Sequence, residues 1–100
     1  MINLQQLHYA YTLSQTRSFS LAAKEEGLTQ SAISQQINKL ETSIGFMIFD
    51  RKSKPLSLTE DGEKFMDQAQ GLLLEAKQLM DFSTTLDSGE RGELNIGVIP

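Results

Sequence analysis

Apolar residues recur along the first half of this chain with the period of short helices, and the clearest case is segment 28–51, LTQSAISQQINKLETSIGFMIFDR. Ile33, Ile37, Leu40 and Ile44 are spaced by four, three and four, which on a helix of 3.6 residues per turn aligns them as one buried stripe. Opposite stand Ser31, Gln35, Asn38 and Thr42, flanked by Ser34 and Lys39, so the outward face is rich in amides and hydroxyls and poor in charge. Upstream, Asn3 and Gln6 have capping-box spacing, and Leu4, Leu7, Ala10 and Tyr11 give a first helix one apolar face, with its end expected near Ser14. A second helix, capped by Ser18 or Ser20, runs through Leu21, Ala22, Ala23 and Lys24. Gly27 closes it, Leu28 fills the turn, and Thr29 caps the third helix.

Beyond Gly45 the helical period disappears. Phe46, Met47, Ile48 and Phe49 form a short apolar run, Asp50 to Pro55 a polar turn, and Leu56-Ser57-Leu58 alternates as a short strand does. The expected element is a two-stranded wing with a basic tip. Thr59 then opens a long helix, with Glu60 and Asp61 in the first turn, where the helix dipole favours negative charge. Phe65, Ala69, Leu72, Ala76, Leu79, Ser83 and Leu86 follow at alternating steps of four and three, with Met66, Leu73 and Met80 beside them. Sustained spacing of this kind predicts a helix–helix seam. Gly71 interrupts it and leaves room for a close crossing. Asp87 to Gly92 has the composition of a hinge, and residues 93–100 alternate like a strand.

Two helices joined by a short turn containing glycine are the helix-turn-helix signature, in which the second helix enters the major groove. Gln and Asn pair bidentately with adenine, and Ser and Thr suit several bases or a phosphate. Gln30, Ser31, Ala32, Ser34 and Gln35, on the first turns of the third helix, are the candidate base readers. Ser20, Thr29, Asn38, Lys39, Arg51, Lys52 and Lys54 are the candidate phosphate contacts, which fix register but carry little sequence information. Phe65, Ala69, Leu72, Leu73, Ala76 and Leu79 are the candidate dimer contacts.

The net charge of −4 argues against nucleic acid only when averaged. Residues 1–58 hold six basic and four acidic side chains, a net of +2, and the acidic excess lies in the remainder. The proposed reading head is the basic part. Zero cysteines exclude disulfides and thiolate metal sites. A single His, placed near the polar boundary of the first helix and read as a surface residue, leaves no nucleophile–base pair or metal cluster, so no enzyme and no cofactor are expected. No apolar run approaches the roughly 18 residues of a membrane span, and the amino terminus lacks a leader pattern, so the expected location is cytoplasmic. A dimerising bundle that never touches DNA is the competing reading from a different class.

These segments together resemble the amino-terminal part of LysR-type transcriptional regulators. The resemblance rests on Phe19 with Ala22-Ala23, the turn Leu28-Thr29-Gln30-Ser31, the helix positions Ser34, Ile37, Leu40 and Glu41, then Gly45, Phe49-Asp50-Arg51, and Leu58-Thr59 with Gly62. It implies a mainly α fold: a winged helix-turn-helix of three short helices and a two-stranded wing over residues 1–58, then a dimerising linker helix over 59–87. Residues 88–100 would be a hinge and the first strand of a truncated effector domain, the expected site of a small-molecule inducer. The implied partners are double-stranded DNA and a second copy through the linker helix, with tetramer formation left open in the full-length protein. Glu26 stands where the family usually has an apolar residue, and Gln35 where a basic one is frequent.

Overall fold

A computed structural model describes residues 2–88, with side chains through Leu86. The elements in order are α1 (Leu4–Thr16), α2 (Phe19–Glu26), α3 (Gln30–Ile44), β1 (Phe49–Asp50), β2 (Ser57–Leu58) and α4 (Glu60–Ser88). The mainly helical winged helix-turn-helix expected from the sequence is therefore the fold, and of the hinge and strand expected over 88–100, residues 89–100 lie outside the described residues. The chain divides into two units, Met1–Gln70 and Gly71–Pro100.

Each helix of the first unit starts on a side chain that satisfies first-turn N–H groups, which have no partner within the helix. Asn3 Oδ1 accepts from the amides of Gln5 and Gln6 at 2.8 and 3.1 Å. Ser18 Oγ, not Ser20, caps α2 through the Leu21 amide at 3.2 Å. Thr29 Oγ1 takes the Ala32 amide at 3.0 Å, and Thr59 Oγ1 takes the Gly62 amide at 2.9 Å. The carboxyl ends close on left-handed residues, Arg17 at φ 56°, Gly27 at φ 69° and Gly45 at φ 89°. Arg17 is a costly choice for that conformation, and it carries α1 two residues past the end expected at Ser14. Ser14 Oγ turns back onto the Tyr11 carbonyl instead of stopping the helix.

Helices α1, α2 and α3 pack on one another in all three pairings. Leu7, Ala10 and Leu13 from α1, Ala22 and Ala23 from α2, and Ile33, Ile37 and Leu40 from α3 form the core, with Ile48, Phe49, Met66 and Ala69. Two expected core positions move outward. Leu4 is 49 % exposed, because the buried face of α1 runs through Leu7, Ala10 and Leu13, while Ile44, in the last turn of α3, is only half-buried. In the wing, Phe49 pairs with Leu58 and Asp50 with Ser57 in an antiparallel ladder.

The second unit, as far as it is described, is the continuation of α4 to Ser88, so Asp87 and Ser88, expected to open a hinge, are helical. Leu72, Leu74, Leu79, Met80, Phe82 and Leu86 are all exposed on it. Among the described residues no helix is long and apolar enough to cross a membrane.

Gly62 and Gly71 lie in the same helix under opposite constraints. A Cβ on Gly62 would overlap the Ile48 carbonyl, whereas at Gly71 it would meet nothing within 4 Å. Gly62→Ala should therefore lower stability by about 1–3 kcal/mol, the usual cost of overpacking. Gly71→Ala should raise it by roughly 0.5–1 kcal/mol through helix propensity. Urea unfolding followed by circular dichroism measures both, and a neutral Gly62→Ala would show that this contact is not tight.

Candidate nucleic-acid interface

The turn between α2 and α3 is built from backbone. The Gly27 amide donates to the Lys24 carbonyl at 3.3 Å and the Leu28 amide to the Ala23 carbonyl at 2.9 Å, the paired bonds of a left-handed helix end. Thr29 then starts α3 in extended geometry, at φ −75° and ψ 157°. With Ile33, Ile37 and Leu40 fully buried, the opposite row of Ser31, Gln35, Asn38 and Thr42 is exposed along its whole length. Of the other candidates on or beside α3, Gln30, Thr29 and Lys39 are exposed and Ala32 and Ser34 half-buried. Gln36, off this row, accepts a hydrogen bond from Gln6 Nε2 at 3.0 Å and ties α3 to α1.

The wing tip presents Lys52 and Lys54 to solvent. Asp50 Oδ1 accepts from the Lys52 amide at 3.0 Å and Ser53 Oγ donates to the Pro55 carbonyl at 2.9 Å, so the turn is held by its own polar groups. Ser20, expected at a phosphate, is exposed at the start of α2 with its hydroxyl 3.0 Å from that of Ser18. Arg51 behaves differently from the phosphate contact expected of it. Its Nη2 donates to Glu41 Oε1 at 3.0 Å, its guanidinium carbon lies 5.6 Å from the centre of the Phe19 ring, and its Nε is buried without a partner. Glu41 is 5 % exposed, and its other oxygen accepts from the amides of Ile48 and Phe49 at 2.8 and 3.2 Å. The buried carboxylate draws Arg51 inward, away from the basic tip.

Residues 4–63 match the family described as bacterial regulatory helix-turn-helix protein, lysR family. The chain belongs to that family. It is 37 % identical over 98 residues to the HTH-type transcriptional regulator EstR of Acinetobacter baylyi, covering 98 % of this chain and 33 % of EstR. Over 99 residues it is 34 % identical to the DNA-binding transcriptional dual regulator OxyR of Escherichia coli K12, covering 99 % of this chain and 32 % of OxyR. The chain thus spans about a third of the length of these curated relatives. Among solved structures, BenM DBD in complex with catB site 1 DNA superposes with a TM-score of 0.82 at 29 % identity, covering 90 % of this chain and 97 % of that one. Vibrio fischeri DarR in complex with DNA gives 0.81 at 31 % identity, covering 86 % of this chain and 30 % of DarR.

This LysR-family chain handles its unusual Glu26 with two polar partners from α1. Thr12 Oγ1 donates to Glu26 Oε2 at 2.6 Å, and His8 Nε2 lies 3.0 Å from the same oxygen. His8 is exposed, as expected, but engaged. The expected dimer seam divides along α4. Phe65 is half-buried and stacks edge-on against Phe46 with centroids 5.7 Å apart, and Ala69 is 5 % exposed, so both are engaged within the first unit. In the second unit Leu72 and Leu79 are exposed, and Leu73 and Ala76 half-buried.

Glu41 was absent from the candidate residues, although a helical wheel sets it beside Ile37 and Ile44, at the edge of the apolar stripe. An acid there signals burial with partners. Replacing it by Ala strands two buried amides and one arginine, a loss of about 2–4 kcal/mol with Arg51 partly solvated. Glu41→Ala should therefore shift the denaturation midpoint sharply, and Glu41→Gln, which keeps an acceptor, less so. Equal midpoints for Glu41→Ala and the parent would remove the carboxylate from the framework.

Proposed function

We propose that this chain is the DNA-reading part of a transcription regulator, which inserts α3 into the major groove and works as a homodimer through α4. The observation that carries the proposal is the exposed row Ser31, Gln35, Asn38 and Thr42. It is uncharged, capable of hydrogen bonding, and backed by a fully buried apolar stripe. An amphipathic helix of this kind suits the groove in width and the base edges in chemistry. The DNA carried by the BenM and DarR structures supports the reading. Base reading is assigned to Gln30, Ser31, Ala32, Ser34 and Gln35. Phosphate contact is assigned to Ser20, Thr29, Asn38, Lys39, Lys52 and Lys54, and dimer contact to Leu72, Leu73, Ala76 and Leu79. The whole protein would be a cytoplasmic regulator and not an enzyme, answering to a small-molecule inducer outside these residues.

Binding to duplex DNA across a salt series is the direct test. Specific and random duplexes should both weaken as salt rises, the random one starting far weaker. A chain that dimerises yet retains neither at low salt would instead be a protein-interaction bundle. Lys54→Ala should weaken binding by a similar factor on every sequence and make the slope of log K against log salt shallower by about 1. An unchanged slope would take Lys54 out of the phosphate footprint.

The dimer is tested separately. Leu72→Asp places a charge in an apolar contact, where burial without a partner costs several kcal/mol. Because Leu72 is already 45 % exposed in the single chain, the variant should fold normally and sediment as a monomer. It should lose affinity for a two-half-site operator far more than for a half-site. A folded dimer binding the full site normally would overturn this interface.

A further inference from the structure

We infer that Gln35 selects adenine over guanine at the base pair it faces, an assignment that rests on the DNA-reading function proposed above. Three observations converge on it. Gln35 stands in the exposed row of α3, one turn after Ser31, and no hydrogen bond among the described residues engages its amide. Its neighbour Gln36 does not share that freedom, because its Oε1 already accepts from Gln6 Nε2 at 3.0 Å. Finally, α3 contains no arginine and only one cation, Lys39, while Arg51 from the wing is held by Glu41.

The chemistry follows from the base edges. Adenine offers the major groove an acceptor at N7 and a donor at N6, so a free glutamine amide makes two bonds, Nε2 donating to N7 and Oε1 accepting from N6. Guanine offers two acceptors, N7 and O6. An amide then makes one bond and sets its own oxygen against O6. The side chain suited to guanine is the two-donor fork of arginine, which α3 lacks.

Selection of duplexes from a randomised pool, with the full chain and with Gln35→Arg, tests the assignment. The parent should enrich an A·T pair at one position in each half-site. Gln35→Arg should convert that position to G·C and leave the rest of the motif unchanged. In a direct measurement, 7-deazaadenine at that position should weaken the parent by about tenfold or more and leave Gln35→Ala unaffected. An identical motif from parent and Gln35→Arg, or a parental preference for G·C at the position Gln35→Arg alters, would overturn the assignment while leaving DNA reading intact. Failure to retain any duplex above a protein-free control at low salt would overturn the DNA-reading function itself, and this assignment with it.

Discussion

The carboxylate of Glu41 fixes the geometry between α3 and the wing. It accepts hydrogen bonds from Ile48, Phe49 and Arg51, donors spread along four consecutive residues, while being itself anchored on the last turn of α3. The two amides belong to the entry into β1, where a two-residue ladder offers the backbone few partners of its own. An ion pair with one partner buried and the other partly solvated repays its own desolvation poorly compared with apolar packing. What it supplies is register: a slip of β1 by one residue would strand an amide and pull Arg51 out of reach. Phe19 beneath the guanidinium brings the start of α2 to the same point.

Ile48 is held from its other side as well. Its carbonyl accepts from the Thr59 amide at 2.9 Å, and Thr59 Oγ1 donates to the Met47 carbonyl at 2.6 Å while capping α4. Gly62 lets the first turn of α4 close on that carbonyl. The base of the wing is therefore pinned by Glu41 of α3 and by Thr59, which caps α4, and the tip that carries Lys52 and Lys54 is left to its own turn. Rigid support under an exposed basic tip suits contacts to a phosphate backbone, since these set position and carry little sequence information.

Much of this was legible in the sequence because it depends on local rules. The stripe Ile33, Ile37 and Leu40, the caps Asn3, Thr29 and Thr59, the left-handed Gly27 and the wing between Gly45 and Thr59 each follow from spacing or backbone chemistry within a few residues. What escaped depends on partners distant in the chain. Arg51 looks like one more cation of a basic tip until Glu41, ten residues earlier, is known to be buried. Glu26 looks like a packing defect until His8 and Thr12 are seen to meet it. The division of the α4 repeat is of the same kind. Nothing in the spacing of Phe65, Ala69 and Leu72 distinguishes the two that make contacts within the first unit from the one that stays exposed.

For a DNA-reading function, the drawing of Arg51 inward has an electrostatic consequence. Residues 1–58 hold six basic side chains, and with Arg51 withdrawn the exposed ones are Arg17, Lys24, Lys39, Lys52 and Lys54, while the row on α3 is neutral. Non-specific affinity scales with the number of phosphates neutralised, so a single head of this kind holds arbitrary DNA weakly. Amides and hydroxyls add free energy only where the bases match, which raises the ratio of specific to random binding more than it raises affinity. Affinity must then come from joining two heads, since the second engagement becomes intramolecular once the first is made. Under that reading the exposed leucines of α4 and the neutral row of α3 would be two parts of one solution, because a weak, discriminating head calls for a dimer.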